Sequence, residues 1–168
     1  IPGHEVVGVV EKVGENVSNW EEGDKVGAGW HGGHCFECEA CRRGDFVKCE
    51  NQAVTGLTRD GGHAEYMTAR KEALARMPED LSWENAAPML CAGVTTFNAL
   101  RHTDAKPGDT VAIVGLGGLG HLGVQYAAKS GYETVAISHS DKEDYARDLG
   151  ADHFINSGKE DAAEKLQE

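Results

Sequence analysis

Four cysteines within fifteen residues constrain this chain more than any other feature of its sequence. They are Cys35, Cys38, Cys41 and Cys49, so the spacers between them hold two, two and seven residues. Four thiolates this close can surround one tetrahedral Zn²⁺ ion, and a site closed by four protein ligands leaves no position for water or substrate. The spacing therefore predicts a structural zinc site.

Two other uses of four cysteines fit this spacing less well. Disulfides need an oxidising compartment, and nothing in the sequence indicates secretion. The bacterial ferredoxin run that binds an iron–sulfur cluster closes with three residues and a Cys-Pro pair. Here seven residues intervene before Cys49, and Glu50 follows it. Zinc is therefore the preferred interpretation.

Charge and hydropathy exclude several classes of partner. The 168 residues carry a formal net charge of −12, which disfavours binding to nucleic acid or to anionic membranes. No apolar run is long enough to span a bilayer, so we expect a soluble protein in the reducing cytoplasm. The chain begins at Ile1 without a methionine and ends in a polar stretch, and we expect it to be a fragment.

The first part of the chain has the pattern of a β domain. Residues 5–17 are rich in β-branched side chains, and further strands are predicted at Lys25–Ala28 and His63–Met67. Glycine turns separate these short strands, which favours a partly open β-barrel or a sandwich. Ser82 is a predicted N-cap, and a helix is predicted over Cys91–Leu100.

The second part alternates strands with helices, which indicates a parallel sheet. Strands are predicted at residues 110–114, 133–137 and 152–155, and helices at residues 119–129 and 141–149. The change of pattern predicts two domains, over residues 1–90 and 91–168.

A glycine loop joins the first of these strands to the next helix. Its residues are Gly115, Leu116, Gly117, Gly118, Leu119 and Gly120, and they fit G-x-G-x-x-G. Between a strand and a helix this motif predicts a dinucleotide site, because the glycines allow a tight turn and close approach of a diphosphate. The helix N-terminus then offers N–H groups to the phosphates.

The turn after the second strand of this part bears on the choice of cofactor. NAD enzymes usually carry an acid there for the ribose hydroxyls, but Ser138 occupies that place. Ser138, Ser140 and Lys142 can bind a 2′-phosphate, which favours NADP over NAD. Two alternatives stay open: Asp141 can turn towards the ribose, or the serines merely cap the next helix.

Two further residues have side chains that can bind a metal, but their spacing alone does not place them in one site. His4 lies near a strand start, where histidine is usually an ordinary polar residue, and a lone cysteine such as Cys91 is usually a small buried hydrophobe.

Three short motifs add a family resemblance. Gly3–Gly8 resembles a GHE-x-x-G signature, Gly61–Tyr66 resembles G-G-aromatic-A-E-Y with His63 as the aromatic, and Leu90–Thr96 resembles a third-ligand segment. With the cysteine quartet and the glycine loop, in this order, the whole chain resembles the zinc-dependent medium-chain alcohol dehydrogenases. The serine-rich turn is similar to that of their cinnamyl-alcohol dehydrogenase branch.

The resemblance implies a fold and a second metal site. The fold is α/β plus β: a GroES-like, partly open β-barrel with a structural-zinc lobe, then the first half of a Rossmann domain. A catalytic zinc is implied at His4 and Cys91, with Glu5 able to exchange into its shell and Thr95 facing the nicotinamide or the substrate. The family's first cysteine ligand and proton-relay residue would precede Ile1, and the second half-sheet would follow Glu168.

The implied activity is hydride transfer between a primary alcohol or aldehyde and NADP or NAD. Zinc lowers the pKa of the alcohol oxygen, and the cofactor carries the hydride. The implied partner is a small alcohol or aldehyde, and the parent is expected to be a homo-oligomer. Zinc-free quinone reductases are disfavoured because they lack the quartet. Two other hypotheses are a non-catalytic zinc-binding fragment and a redox sensor that uses the quartet.

Overall fold

The computed structural model describes residues 1–167. Its backbone contacts divide the chain into two compact units, Ile1–Cys91 and Ala92–Glu168. This division falls directly after Cys91, whereas the boundary predicted from the sequence falls directly before it. Cys91 therefore belongs with the β-rich unit that also contains His4.

Two small antiparallel sheets form the first unit. The larger has the order β1-β2-β5, and the smaller pairs β3 with β4. Their bounds are β1 Val6–Val9, β2 Lys25–Ala28, β3 His31–Gly33, β4 Ala53–Val54 and β5 Leu74–Arg76. The central strand β2, predicted with these bounds, is buried from Val26 to Ala28 because it has a neighbour on each side.

The helices of the first unit are short. They are α1 (Glu39–Arg42) and α2 (Trp83–Ala86), together with 3-10 turns at Phe46–Lys48, Lys71–Ala73 and Ala87–Leu90. The Ser82 hydroxyl accepts a hydrogen bond from the Asn85 N–H at 3.4 Å, which confirms the predicted N-cap.

The strand predicted over His63–Met67 is wrong. Three successive N–H groups, from Gly61 to His63, donate to carbonyls of Ile1, Gly3 and Pro2 respectively. Successive N–H groups of a pleated strand point to opposite sides, so residues 61–63 are not a strand. Residues 64 and 65 continue as a bend, and no sheet includes residues 63–67. The strand within residues 5–17 is also shorter than predicted, because Val9 lies opposite Lys25, where β2 begins.

A parallel sheet organises the second unit. Its strands are β6 (Thr110–Val114), β7 (Glu133–Ser138) and β8 (His153–Asn156), with β7 in the middle. Its helices are α3 (Ala92–Arg101), α4 (Gly120–Lys129), α5 (Glu143–Asp148) and α6 (Ala162–Lys165). The predicted alternation of strands and helices is confirmed. Within residues 1–167, no helix is both long and apolar enough to cross a membrane.

The core of the second unit lies on both faces of the sheet. On one face Ala136 packs with Val124 of α4 and Ala146 of α5. On the other face Val135 and Ile137 pack with Ile155 of β8. Burial on both faces is typical of parallel sheets, and it extends along β7 to Ser138, its last residue.

Candidate metal and nucleotide sites

The four clustered cysteines converge on one point. Their Sγ atoms all lie within 4.8 Å of one another. The Cys35 sulfur is 3.6 Å from that of Cys49 and 3.9 Å from that of Cys41. A tetrahedral ion with Zn–S bonds of about 2.3 Å needs sulfurs about 3.8 Å apart. The spacing of the thiols therefore fits zinc, and all four cysteines are free of disulfides.

Local backbone structure positions these four thiols. Phe36 has a φ of +64°, which reverses the chain between Cys35 and Cys38. Helix α1 then carries Cys41, and the 3-10 turn at Phe46–Lys48 delivers Cys49. The quartet is thus assembled within one short segment.

Hydrogen bonds and burial shift the pKa values of the thiols in opposite directions. N–H groups of Cys38 and Glu37 lower the pKa of the Cys35 thiol to about 6, because they stabilise its thiolate. Backbone N–H groups also lower the pKa of Cys38, whereas burial raises that of Cys41 to about 12. Coordination to a metal deprotonates a thiol outright, so a bound cation would offset the cost of burying the Cys41 thiolate.

A second cluster joins residues from opposite ends of the first unit. The Nε2 atom of His4 lies 3.3 Å from the Sγ atom of Cys91, although the two residues are 87 positions apart. Both side chains are partly buried, and the ring of Trp30 meets that of His4 edge-on at 5.1 Å. A neutral imidazole and a thiolate are both good ligands for zinc, so this pair fits two positions of a metal site.

Close packing on β2 brings Cys91 to this position. A Cβ atom at Gly29 would lie 2.5 Å from the carbonyl oxygen of Leu90, so only glycine lets the 3-10 turn come this close. Leu90 precedes Cys91 directly. The placement of Cys91 therefore depends on a residue that no metal-ligand motif includes.

Glu5 is not in ligating position with this pair. Among residues 1–167, the cysteine quartet is the only group of three or more His, Cys, Asp or Glu side chains whose ligand atoms all lie within 4.8 Å. The Glu5 carboxylate is therefore farther than that from at least one of His4 and Cys91. Its side chain is exposed, and so is that of Thr95, which lies on α3 in the second unit.

The glycine loop has the backbone shape that phosphate binding requires. A Cβ atom at Gly120 would overlap the Gly115 carbonyl oxygen, so the turn packs directly against the start of α4. Cβ atoms at Gly117 and Gly118 would meet nothing within 4 Å, so the outer side of the loop is open. The first turn of α4 adds N–H groups and the positive end of the helix dipole. The loop therefore fits a diphosphate.

Polar side chains after β7 lie next to this loop. The Lys142 ammonium donates to the Leu116 carbonyl at 2.9 Å. The hydroxyls of Ser138 and Ser140 are 3.4 Å apart, and the Ser140 N–H donates to the Ser138 hydroxyl. The alternative in which these serines cap the next helix is wrong, because α5 begins at Glu143 and has Lys142 as its N-cap.

Sequence reasoning missed a buried histidine beside the quartet. His34 is 5% exposed, its Nδ1 lies 2.9 Å from the Nε2 of His31, and its ring stacks on Phe46 at 4.1 Å. Its Nε2 has no hydrogen-bond partner within residues 1–167. The only signal in the sequence is the spacing His31-Gly-Gly-His34, which does not distinguish a packed ring from a ligand.

Comparison with known proteins identifies the family. Residues 1–79 match the alcohol dehydrogenase GroES-like domain, and residues 118–168 match the zinc-binding dehydrogenase family. The alcohol dehydrogenase patD of Penicillium expansum is 52% identical over an alignment of 168 positions, which covers 99% of this chain and 49% of that protein.

Solved structures agree with these matches. A cinnamyl alcohol dehydrogenase, SbCAD4 from Sorghum bicolor, matches with a TM-score of 0.89 and 38% identity, over 99% of this chain and 50% of that one. CAD from Helicobacter pylori, solved in complex with NADP(H), has a TM-score of 0.86 and 30% identity, over 93% of this chain and 48% of its own.

The chain therefore belongs to the medium-chain alcohol dehydrogenase family, and it spans about half the length of the curated relatives it matches. This confirms the family predicted from the motifs. It also confirms the predicted fold class, a GroES-like domain followed by the start of a Rossmann fold.

Proposed function

We propose that this chain carries zinc and cofactor sites of an NADP-dependent alcohol dehydrogenase that interconverts primary alcohols and aldehydes. One observation carries the proposal: the contact of His4 with Cys91 across 87 residues. Nothing local in the chain requires these two side chains to meet. They are the two residues that the family motifs assign to a catalytic metal.

The proposed chemistry assigns a role to four residues of the first unit. When bound, zinc acts as a Lewis acid on the alcohol or carbonyl oxygen, and the nicotinamide accepts or donates the hydride. His4 and Cys91 supply ligands, and the edge of Trp30 fixes the plane of the His4 ring. The Glu5 carboxylate lies more than 4.8 Å from at least one of these two ligand atoms, so we assign it the role of an exchanging neighbour.

The second unit supplies the cofactor side of the proposal. The glycine loop binds the diphosphate through backbone N–H groups. The ammonium of Lys142 lies close to that loop, and together with the hydroxyls of Ser138 and Ser140 it binds a 2′-phosphate. The NADP(H) complex of the Helicobacter pylori relative supports this preference. Thr95 is assigned to the nicotinamide or the substrate.

Setting and assembly complete the proposal. All five cysteines are free thiols, and the quartet can bind zinc only when reduced, so we place the protein in the reducing cytoplasm. A homo-oligomeric parent stays a prediction from the family resemblance.

A turnover assay tests the activity. We expect NADP⁺ to be reduced with benzyl alcohol and NADPH to be oxidised with cinnamaldehyde, above the rate of a zinc-stripped control. His4→Ala removes a proposed ligand and should abolish the rate while the quartet keeps its zinc. Turnover that persists in His4→Ala would contradict the ligand assignment.

A second candidate function is non-catalytic zinc binding. It is favoured by the geometry of the first unit, where the quartet has four sulfurs at zinc-like spacing and the other cluster has two ligand atoms in contact. Elemental analysis separates the candidates. Two zinc ions per chain support the dehydrogenase, whereas one zinc and no turnover support the non-catalytic candidate.

A further inference from the structure

Lys159 lies in the turn after β8 and has no part in the roles assigned above. Its ammonium is 2.8 Å from the Oδ2 atom of Asp141, which follows Ser138 and Ser140 in the chain. The two side chains are 67% and 71% exposed. An ion pair this exposed contributes little to stability. Any functional effect of this ion pair must therefore come from its position in the structure.

Backbone contacts fix this turn against the loop after β7. The Ser157 N–H donates to the Ser138 carbonyl at 3.0 Å, and the Lys159 N–H donates to the Asn156 carbonyl at 2.9 Å. A Cβ atom at Gly158 would lie 2.6 Å from the His139 carbonyl oxygen, so glycine is needed for this approach. Lys159 is thereby held beside the loop that carries Ser138, Ser140 and Lys142.

Asp141 is the one residue of that loop that opposes binding of a 2′-phosphate. A carboxylate at the end of this strand binds ribose hydroxyls in NAD enzymes and repels the extra phosphate of NADP. The pair with Lys159 engages this carboxylate, and the hydrogen bond that the ammonium donates to Asp141 raises the pKa of Lys159. Two ammonium groups, Lys142 of this loop and Lys159 of the neighbouring turn, then lie beside the one carboxylate that the loop itself carries, and Glu160 acts on Lys159 from within the turn.

We propose that Lys159 is a cofactor-specificity residue, which neutralises Asp141 and so lets the loop after β7 accept a 2′-phosphate. It is a positioning residue that acts through Asp141. The inference rests on the proposed preference for NADP.

Binding measurements on the whole chain test this inference without turnover. Isothermal titration gives Kd for NADP⁺ and NAD⁺, and for the probes 2′,5′-ADP and 5′-AMP. We expect Lys159→Ala to weaken NADP⁺ and 2′,5′-ADP about tenfold, because an uncompensated charge lies close to the phosphate. Kd for NAD⁺ and 5′-AMP should change less than about twofold. Lys106→Ala, an equal charge change in the turn before β6, should leave all four values unchanged.

The double variant separates neutralisation from direct contact. If Lys159 acts through Asp141, Lys159→Ala should have little effect on NADP⁺ binding in an Asp141→Asn background. An equal loss in both backgrounds would overturn the proposed role. Circular dichroism and Tm must match those of the unsubstituted chain, and a loss of all four ligands together would indicate a merely structural role.

The outcomes also distinguish this inference from the proposed function. If the unsubstituted chain binds neither cofactor, or binds NAD⁺ more tightly, the NADP-linked function fails and the inference fails with it. If the chain prefers NADP⁺ and Lys159→Ala leaves the Kd ratio unchanged, only the inference fails.

Discussion

The two cysteine-containing clusters of the first unit are assembled in different ways. The quartet draws its ligands from fifteen residues, Cys35–Cys49, folded into a short helix and two turns. The other cluster joins His4 to Cys91 across 87 residues, and the contact depends on how Leu90 packs on Gly29.

This difference indicates, for each cluster, whether the metal stabilises the fold or the fold positions the metal. Between Cys35 and Cys49 the only buried residues are Ala40, Cys41 and Cys49, so a bound metal contributes much of the energy that orders the lobe. The His4–Cys91 contact is already supported by the β1-β2-β5 sheet and by Trp30. We therefore expect zinc to stabilise the fold at the first cluster and the fold to position zinc at the second.

The largest expected effect is the loss of the quartet. Cys38→Ser leaves three thiolates, which cannot complete a closed zinc site. We expect the zinc of the lobe to be lost and the free energy of unfolding to fall by more than about 4 kcal/mol. Elemental analysis and urea unfolding measure both quantities. Cys91→Ser removes a proposed ligand of the other cluster, so it should also lose one zinc but keep most of its stability, and full zinc content with normal stability in Cys38→Ser would remove the basis of the comparison.

A change in packing should affect only the second cluster. Gly29→Ala places a Cβ atom against the Leu90 carbonyl and shifts Cys91 away from His4. We expect a loss of about 1–3 kcal/mol in unfolding free energy, with the metal lost from His4 and Cys91 but retained by the quartet. Gly8→Ala is the control, because a Cβ atom at Gly8 would meet nothing within 4 Å. Equal stability of the two variants would contradict the dependence on packing.

Removal of a proposed ligand should cost metal but little stability. His4→Ala should lower the zinc content by one ion per chain and the unfolding free energy by about 1 kcal/mol, since the sheet remains intact. His102→Ala, a control at the exposed end of α3, should change neither quantity. If His4→Ala destabilises the chain as much as Cys38→Ser does, the metal contributes equally to the stability of the two clusters and the proposed difference between them is wrong.

The smallest expected effect depends on pH and concerns the sheet that supports the second cluster. The Arg76 guanidinium contacts both carboxylate oxygens of Asp24, and this bond holds the pKa of Asp24 below its ordinary value of 3.8. A depressed folded pKa contributes stability that is present above pH 3.8 and lost as the pH falls through the lower, folded value.

We therefore expect Asp24→Asn to be less stable than the unsubstituted chain at pH 7, with a difference that shrinks on acidification below pH 3.8. Unfolding followed across this range measures it. Glu39→Gln, which disrupts the exposed Glu39–Arg43 pair, is the control and should show a smaller difference. A difference for Asp24→Asn that grows with acidification would contradict the assigned sign.

Regular periodicity made the second unit predictable. The bounds of β6 were predicted to the residue, and those of α4 and β7 to within one residue. In the first unit the segment from His63 to Met67 has a strand-like composition, but backbone bonds from Gly61, Gly62 and His63 to residues 1–3 fix its start in a non-strand conformation. Short irregular segments are governed by tertiary hydrogen bonds, which composition does not encode.

The sequence by itself determined the class of protein and the cysteine quartet, because the ligands of that cluster and the turns that orient them are neighbours in the chain. The glycine loop was determined in the same way, since its turn, its close approach to α4 and its open side all follow from glycine at four positions. Only the tertiary structure decided that His4 meets Cys91 and that Lys159 reaches Asp141. Each of these depends on two distant segments approaching closely, at Gly29 in one case and at Gly158 in another. Such an approach is decided by the packing of the whole unit, which local spacing does not specify.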